Sequence, residues 1–159
     1  LQAWYAAVNS LFSPFKKFKV DYRVIPWAVF TDPEIARVGL SEKEANSLGI
    51  SFDKTFFDIS DLDRAIIDGE ANGFVKILTE PGKDKILGVT ILGHHAADVI
   101  PEYILAMKNR IGLNKILGTI HIYPTLSEAN KFAAGEWKKS HIPKLTMKLL
   151  EKFHTWRRQ

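Results

Sequence analysis

GFVKILTEPGKDKILGVTILG, residues 73–93, contains two apolar runs that are rich in valine, isoleucine and leucine. The segment between them, EPGKD, includes the dipeptide Pro81-Gly82. Proline presets φ at the first corner of a turn and glycine tolerates positive φ at the next, so this dipeptide suits a tight turn. Two strand-like runs joined by such a turn predict an antiparallel β-hairpin over residues 74–92.

A further strand is predicted upstream of the hairpin. VIPWAVF, residues 24–30, is continuously apolar and rich in aromatic and β-branched residues, a pattern that predicts a buried strand. Pro26 has no N–H to donate, so it should lie at the start of the strand or on an edge. Two more strands are predicted, one over residues 51–58 and a short one over 114–124. A turn is predicted at Asp32-Pro33-Glu34, and a loop that contains a turn of helix is predicted over 58–73.

Capping patterns mark two of the helices. Ser41 and Glu44 form a capping box, in which each side chain accepts from the other residue's backbone N–H. Thr125 and Glu128 repeat that spacing, and Gly49 suits the left-handed position that ends a helix. Together with the apolar periodicity, these patterns predict helices over 2–12, 42–48, 99–111, 125–139 and 144–157. Helices that alternate with antiparallel strands predict an α+β fold in which helices cover an antiparallel sheet.

Composition and charge limit the function. The chain has 159 residues, of which 46% are hydrophobic and 25% charged, as in an ordinary globular domain. The absence of cysteine excludes disulfides, thiolate metal sites and a dithiol centre within the chain. The net charge of +4 comes from both ends: residues 138–159 carry seven Lys/Arg against one Glu, and residues 24–137 are net acidic. Nucleic acid is therefore not an expected partner of the folded body.

The N-terminal residues, LQAWYAAVNSLFSPF, have no basic segment, no cleavage site and no apolar run long enough to cross a bilayer. We expect them to come from the middle of a longer, cytoplasmic protein. Membrane association of that full-length protein is the alternative.

HIYPTLSEA, residues 121–129, concentrates groups capable of chemistry. If residues 114–124 form a strand, His121 and Tyr123 point to the same face, roughly 6–7 Å apart. The Thr125–Glu128 pair is explained by a helix cap as well as by a catalytic role. For the His94-His95 pair we expect a solvated or capping role, and no metal site is expected.

Two segments resemble signatures of one family. FTDPEIARVGLSEKEA, residues 30–45, resembles the opening of the C-terminal dimerisation, or interface, domain of the FAD-dependent pyridine nucleotide-disulfide oxidoreductases, which include glutathione reductase, dihydrolipoamide dehydrogenase and mercuric reductase. HIYPTLSEA is similar to their His-Pro-Thr-x-x-Glu signature in every position but the first. Residues 73–100 are similar to the family's hairpin and following helix. The resemblance covers residues 24–139 and implies the fold of an FAD/NAD-linked reductase dimerisation domain.

The resemblance implies a site at the subunit interface. In family members that act on disulfides, the residue before Pro-Thr is a histidine that enters the other subunit's active site as acid and base, and a glutamate five residues later orients it. Those positions are Tyr123 and Glu128 here, so both are candidate catalytic residues, with His121 as a possible third. A phenol has a pKa of about 10 and is a poor base at neutral pH, but it can donate a hydrogen bond. Tyr123, Pro124 and Thr125 are implied to lie near the partner's FAD.

The resemblance also implies cofactors and partners. The full-length enzyme is expected to use FAD and NAD(P)H, to form a homodimer, and to pack this domain on its own N-terminal FAD- and NAD-binding domains. This segment alone has no Gly-rich dinucleotide fingerprint and no cysteine pair, so we expect it to bind no cofactor and to be inactive. A tyrosine at position 123, in place of histidine, resembles the mercuric-reductase side of the family. The cysteine pair that those enzymes carry near the C-terminus is absent from this chain, so the electron acceptor is left open.

The resemblance divides the chain into three parts. Residues 1–23 are expected to end the preceding FAD-binding domain and form a basic linker, residues 24–139 to be the dimerisation domain, and residues 140–159 to be a basic amphipathic helix. Leu145, Leu149, Phe153 and Trp156 share one side of that helix, which favours docking on its own domain over contact with an anionic membrane. The alternative function is an independent binding module whose basic helix meets nucleic acid or a membrane.

Overall fold

The computed structural model describes residues 2–158, apart from the side chains of residues 144–148 and 152. The strands are β1 (Pro26–Val29), β2 (Glu34–Gly39), β3 (Asp53–Asp58), β4 (Phe74–Thr79) and β5 (Ile86–Gly93). The helices are α1 (Gln2–Phe12), α2 (Glu42–Ser47), α3 (Asp63–Asp68), α4 (Ala96–Val99), α5 (Pro101–Lys108), α6 (Leu113–Leu117), α7 (Glu128–Ser140) and α8 (Lys144–Arg157). A 3-10 turn at Ile59–Asp61 precedes α3.

The strands form one five-stranded sheet in the order β1-β2-β5-β4-β3, and every neighbouring pair is antiparallel. The predicted hairpin is confirmed as β4 and β5, which lie at the centre of the sheet. In its turn, Glu80 and Lys85 pair through backbone N–H and C=O groups. The α+β class with an antiparallel sheet is therefore confirmed.

The two faces of the sheet differ in composition. One row of cross-strand neighbours runs through Ala36, Ile91, Val75 and Phe57, all of them buried. This face is covered by α7, which packs on β3 and β4, and by α4 and α5, which pack on β2 and β5. Burying a large aliphatic side chain contributes roughly 1.5–3 kcal/mol. The core therefore lies in a single layer between the sheet and these helices.

The first capping box forms as the sequence predicts. Ser41 Oγ accepts from the N–H of Glu44 at 3.2 Å, and the Glu44 carboxylate accepts from the N–H of Ser41 at 2.8 Å. The same carboxylate pairs with Arg37 of β2, which ties the start of α2 to the sheet. Gly49 follows the helix with φ of 65°, the left-handed conformation expected at that position.

The predictions around β1 and β2 are partly wrong. β1 starts at Pro26 and lies on the sheet edge, but it is not buried, since Trp27 is 46% exposed and Phe30 is 77% exposed. The predicted turn at Asp32-Pro33-Glu34 overlaps the start of β2, whose first residue is Glu34 and which the sequence analysis did not predict. β2 pairs with β1 on one side and β5 on the other, so it and not β1 takes the interior position.

The short strand predicted over residues 114–124 is wrong. Residues 113–117 form α6, and the chain that follows runs to α7 without pairing with the sheet. α6 packs on α7, which holds this segment over the helical layer and away from any strand edge. The helix predicted over 99–111 is also shorter: it ends at Lys108, and α4 precedes it with Pro101 at the first position of α5.

The predicted C-terminal helix is present as α8, but its expected docking is contradicted. Leu149 is 59% exposed, Phe153 48% and Trp156 71%, whereas the side chain of Leu145 lies outside the described residues. The space over β3 and β4 is occupied by α7, whose Ala133, Ala134 and Trp137 are buried. Among the described residues, no helix is long and apolar enough to cross a membrane.

Candidate functional site

The segment between α6 and α7, which we call the 119–125 loop, carries most of the candidate residues. Ile120 is 96% exposed, Ile122 78% and Tyr123 67%. Large apolar side chains at such exposure are unfavourable in water unless another surface covers them. The loop therefore presents a small apolar patch around the tyrosine.

His121 points the other way, into the domain, and its side chain is 5% exposed. Its Nε2 lies 3.1 Å from Glu102 Oε2 of α5, and its Nδ1 lies 3.1 Å from the carbonyl oxygen of Thr119. Carboxylate and carbonyl oxygens only accept, so both contacts are hydrogen bonds when both ring nitrogens carry a proton. The buried Asn130 of α7 donates to the same Glu102 carboxylate at 2.8 Å. His121, Glu102 and Asn130 thus join the base of the loop to two helices.

Tyr123 makes a polar contact that the sequence did not indicate. Its hydroxyl donates to Asp63 Oδ2, at the start of α3, over 2.9 Å. The hydrogen bond to Asp63, together with the negative charge of that carboxylate, raises the pKa of Tyr123 above its usual value. Tyr123 therefore stays a neutral phenol at neutral pH, a hydrogen-bond donor and not a base.

Thr125 and Glu128 form one half of the predicted capping box. Glu128 is 6% exposed, and its Oε2 accepts from the N–H of Thr125 at 3.2 Å. The hydroxyl of Thr125 instead donates to the carbonyl of Ile122 at 2.6 Å, inside the loop. A carboxylate at the start of α7 is also favoured by the helix dipole. The structure places Glu128 as a support for the loop and pairs Tyr123 with Asp63, not with Glu128.

An open cleft of about 680 Å³ lies beside the loop. Pro124 and Thr125 are two of the candidate residues that line it, whereas Tyr123 is not among the lining residues. The full lining consists of Arg64, Asp68, Glu70, His94, His95, Asp98, Val99, Pro124, Thr125, Leu126 and Ser127. The His94 and His95 rings lie 4.0 Å apart between centroids, and both are now placed at this cleft, a location the sequence did not predict.

The cleft does not suit a whole dinucleotide. Asp68, Glu70 and Asp98 place carboxylates around it, and Arg64 is already paired with Asp68 at 2.7 Å. These charges repel a diphosphate, and the chain supplies no glycine-rich cradle of backbone N–H groups. A metal site is also absent from the described part of the chain, where no cluster of at least three suitable His, Asp or Glu side chains occurs.

Sequence reasoning missed Asp63, Glu102 and Asn130. Asp63 lies in an acidic segment whose composition indicates only a loop, and 60 positions separate it from Tyr123. Glu102 lies in the first turn of α5, where an acidic residue is explained by the helix dipole alone. Asn130 is buried in α7, and a buried amide needs hydrogen-bond partners, but this burial is evident only in the structure.

Comparison with known proteins gives consistent results. A sequence model described as pyridine nucleotide-disulphide oxidoreductase, dimerisation domain, matches residues 25–134. Dihydrolipoyl dehydrogenase of Chlamydia muridarum is 39% identical over 112 residues, which cover 70% of this chain and 24% of that protein. Mercuric reductase of Shewanella putrefaciens is 32% identical over 121 residues, 76% of this chain and 22% of that protein. The chain thus spans about a quarter of the length of these relatives.

Two solved structures share the fold of this chain. LpdA from Mycobacterium tuberculosis matches with a TM-score of 0.70 and 26% identity, over 83% of this chain and 28% of that protein. The HOCl-induced flavoprotein disulfide reductase RclA from Escherichia coli matches with a TM-score of 0.74 and 20% identity, over 82% of this chain and 30% of that protein. At that identity the match to RclA bears on the fold alone.

Proposed function

Because this chain belongs to the family of pyridine nucleotide-disulphide oxidoreductase dimerisation domains, we propose that it is the interface domain of an FAD-dependent, NAD(P)H-linked oxidoreductase. In this proposal the full-length protein is a homodimer. Its own upstream domains hold FAD and NAD(P)H. A cytoplasmic location is part of the same proposal. The division into residues 1–23, 24–139 and 140–159 is part of the same proposal.

The 119–125 loop is the observation that carries the proposal. Its base is fixed, since His121 is buried against Glu102, while Ile120 and Ile122 project into solvent. A loop that is anchored at its base and apolar at its tip is built to enter a surface on another molecule. We assign that surface to the partner subunit, where the loop completes the active site.

Within that site, Tyr123 is proposed to donate a hydrogen bond at the edge of the partner's flavin, with Pro124 and Thr125 beside it. The raised pKa of Tyr123 supports a donor and opposes a base, because the phenolate would face the Asp63 carboxylate. Glu128 supports the loop through Thr125, and His121 holds its base. The parent enzyme is therefore proposed to use acceptor chemistry that needs no base at this position.

The cleft chemistry supports a second part of the proposal, that the chain alone neither holds FAD nor catalyses. Its carboxylates oppose a diphosphate, so the flavin must be bound by other domains. A flavin absorption spectrum that copurifies with the 159-residue chain would overturn this part.

Dimer formation tests the assignment of the loop. In the full-length protein, Ile122→Asp places a charge at the apolar tip and should shift sedimentation velocity from dimer toward monomer while flavin stays bound. Leu48→Asp is the matched control, since Leu48 is 64% exposed at the end of α2 and should leave the dimer intact. An Ile122→Asp protein that sediments as a dimer with normal activity would remove the loop from the interface.

A further inference from the structure

α8 lies outside the part of the chain that the family explains. The family match ends at residue 134, and α8 spans Lys144–Arg157. Its described apolar side chains are all substantially exposed, at 59% for Leu149, 46% for Leu150, 48% for Phe153 and 71% for Trp156. This helix therefore shows apolar surface that the described domain does not cover.

Three of the four exposed apolar residues fall on one stripe. Leu149, Phe153 and Trp156 are spaced by four and three positions, which places them on the same side of a helix. The rings of Phe153 and Trp156 are adjacent, with centroids 6.1 Å apart. The stripe thus places two adjacent aromatic rings and a leucine on one side of the helix.

The sequence of α8 is also rich in basic residues. The helix and the residue after it contain Lys144, Lys148, Lys152, Arg157 and Arg158, against the single acid Glu151. Arg157 and Arg158 are exposed at its C-terminal end, next to Trp156. The helix therefore combines an aromatic and aliphatic side with a strong positive charge.

We propose that α8 binds the surface of an anionic lipid bilayer and holds the protein there. Leucine, phenylalanine and tryptophan would enter the boundary between headgroups and acyl chains, and the net positive charge of the helix would be attracted to the lipid phosphates. At 14 residues the helix is roughly 21 Å long, too short to span the hydrocarbon core, so it lies in the plane of the membrane. The inference does not depend on the proposed enzymatic role.

The composition of the stripe favours lipid over nucleic acid or the domain itself as the binding partner of α8. A nucleic acid would neutralise the cations but would leave Leu149 and Phe153 exposed, because its backbone offers no apolar surface. The domain itself is net acidic, yet the described α8 side chains do not pack on it. A bilayer with anionic lipid satisfies both the charge and the apolar side at once.

Vesicle cosedimentation tests the proposal. The 159-residue chain should bind vesicles of phosphatidylcholine with about one third phosphatidylglycerol, and should bind pure phosphatidylcholine much more weakly. Removing two charges in R157Q/R158Q should weaken binding roughly twenty- to thirtyfold, since each basic residue near the surface contributes about fivefold. Added salt should weaken it as well. Leu48→Ser, another exposed leucine, is the control and should bind as the unchanged chain does.

Tryptophan fluorescence tests the orientation. The emission should shift to shorter wavelength with anionic vesicles, and Trp156→Phe should lose most of that shift while it retains binding. Binding that Phe153→Ser with Trp156→Ser leaves unchanged would overturn the assignment of the stripe.

Four further outcomes contradict the proposal. Equal binding to both vesicle types, or none to the anionic ones, overturns it. Retention on duplex DNA without vesicle binding assigns α8 to nucleic acid. Vesicle binding by the 159-residue chain that is absent from the full-length protein assigns the stripe to the upstream domains, which then cover it.

Discussion

The β4–β5 hairpin and the 119–125 loop are opposite kinds of structure in one domain. In the hairpin, Ile77 and Val89 are cross-strand partners and both are fully or almost fully buried. In the loop, Ile120 and Ile122 are exposed, and the segment is held by polar contacts to α5 and α3. The hairpin stabilises the domain, whereas the loop is supported by it.

The difference shows how the chain separates stability from function. Alternating apolar residues and a Pro-Gly turn make the hairpin's structure largely local. The loop depends on Glu102 and Asp63, which are distant in sequence, and it leaves its apolar side chains without cover. The exposed apolar side chains of the loop add little to the free energy of folding, so that free energy must come from the packed core of the domain.

The largest expected effect is in the hairpin. Ile77→Ala should lower the free energy of unfolding by about 2–5 kcal/mol, because Ile77 is 0% exposed and truncation leaves a cavity beneath the helices. Ile120→Ala, in the loop, should change it by no more than about 0.5 kcal/mol. Urea denaturation followed by circular dichroism measures both. Similar losses of unfolding free energy in the two variants would contradict the difference proposed between the hairpin and the loop.

The next effect concerns the base of the loop. His121→Ala should cost about 1–2 kcal/mol, since Glu102 and the Thr119 carbonyl lose a buried hydrogen-bond partner. Limited proteolysis should then cut within residues 119–125 faster than in the unchanged chain. Ile122→Ala, which removes an exposed neighbour, is the control for cleavage. A stable His121→Ala chain with an uncut loop would mean that His121 does not hold it.

A smaller effect is pH-dependent and acts on the hairpin turn. His141 Nε2 lies 3.0 Å from Asp53 Oδ2, and the same carboxylate accepts from the N–H of Gly82 at 2.6 Å in the turn. The contact with Asp53 raises the pKa of His141, and the contacts of Asp53 with Gly82 and His141 lower the pKa of Asp53. The end of α7 is therefore joined to the turn by a titratable pair.

The sign of the pH dependence follows from these shifts. The contribution of His141 is complete below its unfolded pKa of about 6.5 and is lost as the pH rises through the raised folded value. The contribution of Asp53 is present above about pH 3.9 and is lost as the pH falls through its lowered value. Because both side chains are partly exposed, we expect a loss above neutral pH of less than about 1 kcal/mol. Unfolding measured across this range should lose that slope in His141→Gln, and an unchanged slope would assign it to another group.

The smallest effect on stability is expected at Tyr123, where the effect on activity should be large. Tyr123→Phe removes one exposed hydrogen bond and should change the free energy of unfolding by less than about 0.5 kcal/mol. In the full-length enzyme it should lower turnover by about tenfold or more, because the donor at the flavin edge is lost. Tyr22→Phe, at another exposed tyrosine, should leave turnover unchanged. Equal turnover of the three proteins would reduce Tyr123 to a packing role.

Local patterns predicted the parts of the fold that local interactions decide. Ser41 and Glu44 lie within one turn of each other, so their reciprocal bonds follow from spacing alone. The hairpin, and the left-handed Gly49 that follows α2, obey similarly short-range rules. The family resemblance added the assignment to a dimerisation domain, which the match over residues 25–134 confirms.

Predictions failed where long-range packing decides the structure. Residues 114–124 are as apolar as a strand, but the packing of α6 on α7 keeps them off the sheet. The same-face placement of His121 and Tyr123 depended on that strand. In the structure the histidine is buried and the tyrosine exposed. The pairing of Tyr123 with Asp63 joins residues 60 positions apart, which no local pattern encodes.

Photo-crosslinking from position 123 tests most directly whether the loop enters the partner subunit. A full-length protein in which benzoylphenylalanine replaces Tyr123 should, on irradiation, form a covalent dimer whose cross-linked peptides come from the partner's residues outside 24–139. The same probe at Leu48, an exposed residue that follows α2 and is not part of the 119–125 loop, should form no covalent dimer. Cross-links confined to the probe's own subunit, around Asp63, would contradict the account.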